Sequence, residues 1–178
     1  MKKIFSMSDS FYGLYSTTGF DLLSILTKVA SRKNPTIDLG PIDLSCSFVV
    51  SDAQKEDMPI VYVSSTFEVL TGYKSCEILG KNCRFLQAPG GVVTKGERRQ
   101  FADSQVVYEM KKHIETAKEC QFLNVNYKKS GEPFVNLITV IPVSLDETSG
   151  IVTHFVGFQV DLLEQSNSIL NRVSGTLI

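Results

Sequence analysis

The chain has 178 residues, 43% of them hydrophobic, which suits one globular domain with a single core. With 18 basic and 19 acidic side chains the formal net charge is −1, so no overall field draws it to nucleic acid or membrane; Arg98-Arg99 and Lys111-Lys112 read as solvated surface. No apolar run reaches the ~20 residues of a membrane span or serves as a signal peptide, and Cys46, Cys76, Cys83 and Cys120 form neither a C-x-x-C metal pair nor a disulfide framework, which predicts an intracellular protein, nuclear or cytoplasmic.

Residues 1–16 show no period and read as a loose arm. From Phe20 the pattern turns helical: Leu23, Leu26 and Ala30, with Leu22, Ile25 and Val29 beside them, recur at three- and four-residue spacing. Asp21 suits the start of this helix and Asn34-Pro35 its stop. Such a broad apolar face needs a partner surface, either the domain core or a docking position from which the helix can move. After an extended linker, residues 46–50 read as a buried strand, 51–57 as a polar turn, and 60–63 as the second strand of a hairpin. Ser64-Ser65 caps a helix with Phe67, Leu70 and Tyr73 inward and Gly72 at its end. A second short helix covers 75–79, closed by Gly80.

A third short helix, Cys83 to Leu86, then lies within the run Asn82-Cys83-Arg84-Phe85-Leu86-Gln87. Cysteine is the only side chain in this run that forms a readily reversible covalent bond. Arg84 can neutralise an anion by a forked, charge-assisted contact. Phe85 and Leu86 supply an apolar wall, and Asn82 and Gln87 can donate or accept hydrogen bonds. The combination points to a phosphorylated, ring-shaped ligand beside a thiol. A free thiol titrates at about 8.5 and is mostly protonated at neutral pH. Hydrolytic use would need a base, and neither His113 nor His154 lies in a cysteine-protease context.

Pro89, Gly90, Gly91 and Gly96 make 88–102 a flexible loop that carries Lys95, Arg98 and Arg99. Residues 103–118 read as a helix with Val106, Val107, Met110 and Ile114 on one stripe. Strands follow at 120–128, 133–143 and 151–161, with a weak terminal helix at 162–173. Two strands, several short helices and three more strands give an α+β order, an antiparallel sheet with helices against one face.

Gly80-Lys81 followed by residues 82–87 resembles the signature of LOV domains, the flavin-binding blue-light sensors of the PAS superfamily. Asn126 in Val125-Asn126-Tyr127-Lys128, Asn136 in Phe134-Val135-Asn136-Leu137 and Gln159 in Gly157-Phe158-Gln159 match that family's flavin-contacting positions. Thr18-Gly19-Phe20-Asp21, Asn34-Pro35 and Leu39-Gly40-Pro41 to Cys46 resemble its fungal White Collar and Vivid branch, and the run from Phe158 to Leu162 favours the White Collar side. The similarity runs over about residues 15–174.

The resemblance implies a PAS/LOV fold at 46–161, a five-stranded antiparallel sheet and short helices enclosing a flavin. An arm and helical cap (1–45) precede it and a C-terminal extension (162–178) follows. It implies that Cys83 is photoactive. Under blue light its sulfur bonds to flavin carbon C4a while N5 gains the proton, and the bond later breaks spontaneously. Nothing is turned over, so the protein is a sensor and not an enzyme. By the same resemblance Asn126 and Asn136 hold the pyrimidine edge, with Gln87 and Asn82 adding contacts. Arg84 holds the phosphate, with Arg98 or Arg99 of the loop as a second candidate for that contact. The loop is longer than in plant-type members and can cover an adenine, which favours FAD over FMN.

Gln159 is the implied transducer, offering its NH2 to an unprotonated N5 and its carbonyl once N5 carries hydrogen. The last strand should neighbour the first, so the change reaches the cap past Cys46, read either as a hinge-side cysteine or as a buried structural thiol. The expected output is a rearranged cap and a light-dependent homodimer, or pairing with a White Collar-type PAS partner, in the control of transcription. No direct nucleic-acid contact by this segment and no membrane contact are expected. Two readings stand beside this one: a light-indifferent PAS interaction module with a side-chain-filled pocket, and a stand-alone Vivid-like modulator in place of a piece of a zinc-finger regulator.

Overall fold

The computed structural model describes residues 20–146 and 148–165; the N-terminal arm and most of the helix expected at 162–173 lie outside them, with 162–165 helical. In chain order the elements are helix α1 (Leu22–Ala30), strands β1 (Phe48–Asp52) and β2 (Ile60–Val63), helices α2 (Ser65–Thr71) and α3 (Ser75–Ile78), a 3-10 helix (Cys83–Gln87), helix α4 (Ser104–Glu115), and strands β3 (Cys120–Tyr127), β4 (Pro133–Val143) and β5 (His154–Asp161). The strands form one antiparallel sheet of order β2-β1-β5-β4-β3, so the last strand lies beside the first.

Local chemistry sets the helix limits. Asp21 accepts the Ser24 amide at the start of α1, Ser64 accepts that of Phe67 at the start of α2, and Asp103 those of Gln105 and Val106 at the start of α4. Gly72 ends α2 with φ of 76°, a left-handed turn that glycine enters without steric cost. Three expectations shift. The third short helix has 3-10 geometry and runs on to Gln87. β1 begins two residues late, which leaves Cys46 in the preceding bend, and it keeps the polar Ser51 and Asp52 because both pair with the start of β5. β5 begins at His154, and Val152 ahead of it serves the loop, its carbonyl accepting from Gln54 Nε2 at 2.6 Å.

Strand alternation gives the sheet two faces. Phe48, Val50, Ile141, Val143, Val156 and Phe158 face outward and receive Leu22, Ile25 and Val29 of α1. Val49 faces the other way and joins Ile60, Phe67, Ile78, Phe85 and Leu86 beneath the short helices. The helical cap and the short helices therefore cover opposite faces of the sheet. Arg32, just after α1, lies with Nε 2.7 Å from Glu119 Oε1, close enough for the charges to attract though off-line for a hydrogen bond. The other carboxylate oxygen of Glu119 accepts the Thr36 and Ile37 amides at 3.0 Å each. One side chain thus ties the linker behind the cap to the start of β3.

Candidate functional site

A cavity of about 490 Å³ lies between the inner face of the sheet, α4, the 3-10 helix and the loop before α4. Its size is that of a small-molecule site. Register explains its floor: Val49 opposes Gly157, Gly157 opposes Val140, and Ile138 opposes Gln159, so all of these side chains share one face. Val107, Met110 and Ile114 of α4 and Leu86 of the 3-10 helix form apolar walls.

Cys83 opens the 3-10 helix and lines the cavity. It is partly open to that space and otherwise enclosed by protein, and burial pushes its thiol up to about 12, against the opposing pull of the Arg84 charge. The sulfur is therefore held as a neutral thiol. Asn82 caps the helix by accepting the Arg84 amide at 3.0 Å, and its own NH2 donates to the Asp57 carbonyl at 2.6 Å. Arg84 grips the Asp57 carboxylate with both terminal guanidinium nitrogens, and this contact holds the Asp57 carboxyl below the ordinary carboxylate value.

Gln87 also lines the cavity, and its carbonyl oxygen accepts from Arg99 Nε at 2.7 Å. Arg99 belongs to the walls, whereas Arg98 is exposed and lies outside this set. Burial and then the neighbouring Arg84 charge lower the Arg99 value, so two guanidinium groups repel across the mouth, an arrangement an anion between them would relieve.

The sheet supplies the amides. Asn126 and Asn136 are fully buried on adjacent strands, and Asn136 Nδ2 donates to Asn126 Oδ1 at 2.8 Å. Asn126 Nδ2 donates to the Val125 carbonyl and Asn136 Oδ1 accepts from the Val160 amide, so each side chain is oriented and keeps a second valence for a ligand. The two buried amides thus satisfy one another in part before any ligand does. Gln159 is buried with its carbonyl oxygen unpartnered. Its backbone N–H donates to the Ser47 carbonyl at 2.9 Å, one residue from Cys46. Cys46 itself is partly buried against the cap cluster, and its carbonyl accepts from Thr66 Oγ1.

Sequence reasoning missed three contributors. Gly157 leaves floor space, since a Cβ there would lie 3.3 Å from Gln159 Nε2. Asn124, buried beside the amide pair, accepts the amide of Asp103 at the head of α4. Asp57 read as a polar turn residue; nothing in its neighbours announces the arginine. Cys83, Arg84, Gln87, Asn82, Asn126, Asn136, Gln159 and Arg99 all come together on one cavity.

A PAS domain family model matches residues 45–164. The chain is 48% identical over 159 residues to the White collar 1 protein of Neurospora crassa, covering 89% of this chain and 14% of that protein. It is 46% identical over 165 residues to the blue light receptor lreA of Aspergillus flavus, covering 93% and 19%. The chain thus spans about a fifth or less of these two relatives. Its structure superposes on the light-state dimer of the fungal blue-light photoreceptor Vivid with a TM-score of 0.77 and 42% identity, over 84% of this chain and 99% of that one.

Proposed function

The chain belongs to the PAS domain family, in its fungal blue-light receptor branch, and from that footing we propose that it is a light-sensing module that holds a flavin against Cys83. One observation carries the reading: a neutral thiol lines a cavity whose floor presents two oriented amides and a glutamine with a buried, unpartnered carbonyl. A side-chain-filled pocket, the light-indifferent alternative, does not describe a cavity of about 490 Å³.

A flavin would supply blue-light absorption and a ring carbon to which a thiol adds reversibly. The chain's own residues do the rest. Cys83 brings sulfur and proton together, so no base is required. Asn126 and Asn136 hold the polar edge of the ring and Arg84 with Arg99 its phosphate, while the apolar walls exclude water. Gln159 exchanges donor for acceptor by turning its amide, and its backbone bond to Ser47 carries that change to the segment beside Cys46 and the cap. The cap then rearranges and the domain pairs with a second copy or a PAS partner, within a nuclear transcription regulator. The long loop, carrying Lys95, Gly96 and Arg99 to the cavity mouth, favours FAD over FMN.

The test is spectroscopic. Purified protein should absorb blue light, bleach on illumination and recover in darkness. Cys83→Ala should keep the colour and lose the recoverable bleaching; a normal photocycle in that variant overturns the assignment. Cofactor released by denaturation and separated chromatographically should be FAD, and FMN alone under FAD-replete conditions removes the adenine argument.

A further inference from the structure

We propose that Asp57 is the positioning residue of the pocket's phosphate clamp, acting through Arg84 from the β1–β2 hairpin; this rests on the reading of the cavity as a site for a phosphorylated flavin. Three links join Asp57 to the segment around Cys83. Its carboxylate takes both terminal nitrogens of Arg84, fork on fork. Its carbonyl accepts from Asn82 Nδ2 at 2.6 Å, and Asn82 Oδ1 in turn accepts the Arg84 amide at 3.0 Å. Both neighbours of the reactive thiol are therefore held by one residue of another element.

The hairpin carries strain consistent with such a role. Asp57 and Met58 have φ of 65° and 47°, successive left-handed residues without a glycine. Conformations of this kind persist where the surroundings over-determine them, and they cluster at ligand sites. The same turn puts Met58 into the cavity wall. A guanidinium has five N–H donors in one plane. The fork on Asp57 uses two and fixes that plane, which leaves the other donors preset for an anion at the cavity mouth. Lys95 Nζ, 3.9 Å from Asp57 Oδ1, adds a second cation from the loop. An arginine freed from Asp57 would have to be ordered by the ligand, at a cost in affinity confined to ligands that carry phosphate.

The measurement is a fluorescence titration of the full chain, freed of its flavin, with riboflavin, FMN and FAD. The readout is the ratio of FMN to riboflavin affinity, which a general loss of folding stability would not move. Asp57→Asn should lower that ratio by about tenfold, the scale of one hydrogen bond to a charged group. Asp57→Glu, which keeps the charge but displaces the fork, should lower it as well and stands in if the first variant fails to fold. An unchanged ratio assigns Asp57 to the hairpin alone and overturns the proposal. A raised ratio overturns it too, because Asp57 would then compete with phosphate for Arg84. Wild-type protein that binds none of the three ligands removes the flavin reading itself, a result distinct from flavin binding that ignores Asp57.

Discussion

Cys83 is chemically quiet until something other than a base activates it. Burial raises its thiol to about 12, above the value in an unfolded chain, with Arg84 opposing the shift. The folded state therefore binds this proton more tightly than the unfolded one. The contribution to stability is fully present below the unfolded thiol value and is lost as pH rises through that range towards 12. Alkylation by iodoacetamide at pH 8 in darkness should then modify the exposed Cys76 first and leave Cys83 intact, as peptide mass spectrometry would report. Rapid Cys83 labelling would mean an accessible thiolate and a different chemistry. Gln159 supports a complementary test. Gln159→Leu keeps the backbone bond to Ser47 and removes both faces of the amide, so bleaching should persist while the light-dependent change in hydrodynamic size disappears.

At the scale of elements, α1 is held to the outer sheet face by Leu22, Ile25 and Val29. Ile25→Ala removes a fully buried side chain and should weaken this docking by about 2–5 kcal/mol. If the cap is a separate opening unit, protease cleavage in the 31–45 linker should accelerate in darkness at temperatures where the sheet stays folded. Cleavage that follows only global melting would make α1 ordinary core. Most of this element pattern was legible from the chain, because periodicity and caps are local: Ser64 and Gly72 bracket α2, and the alternation in β3 and β4 separates the faces. What escaped was non-local. The bulge between Val50 and Ser51 arises from pairing with β2, and the left-handed turn at Asp57 and Met58 is bonded through Asp57 to Asn82 and Arg84, 25 and 27 positions away. The site's residues were legible for the reason its geometry was not: a thiol, an arginine and inward amides have distinctive chemistry, but which of them pair with one another depends on register.

In the whole molecule, the cavity and the cap lie on opposite faces of one sheet, so a signal must cross it through the central strands or round its edge. The central route is short, from Gln159 through its amide to Ser47 and the segment before β1. The edge route is a tether on the cap: Glu119 anchors Arg32 and the Thr36 and Ile37 amides, with both ionic partners largely buried. In the proposed photoreceptor this anchor sets how far the dark equilibrium lies from the released cap. Glu119→Gln leaves Arg32 still bonded to the Val29 and Ile37 carbonyls but cancels the ion pair, at a cost of about 3 kcal/mol. A bias of that size against one of two states changes their ratio by about a hundredfold. Size-exclusion chromatography of the variant should therefore show dimer already in darkness, with a smaller further shift on illumination. Dark elution identical to wild type, with only a lower melting temperature, would show that the linker is fastened for stability alone and that the cap is governed entirely from the β5–β1 side.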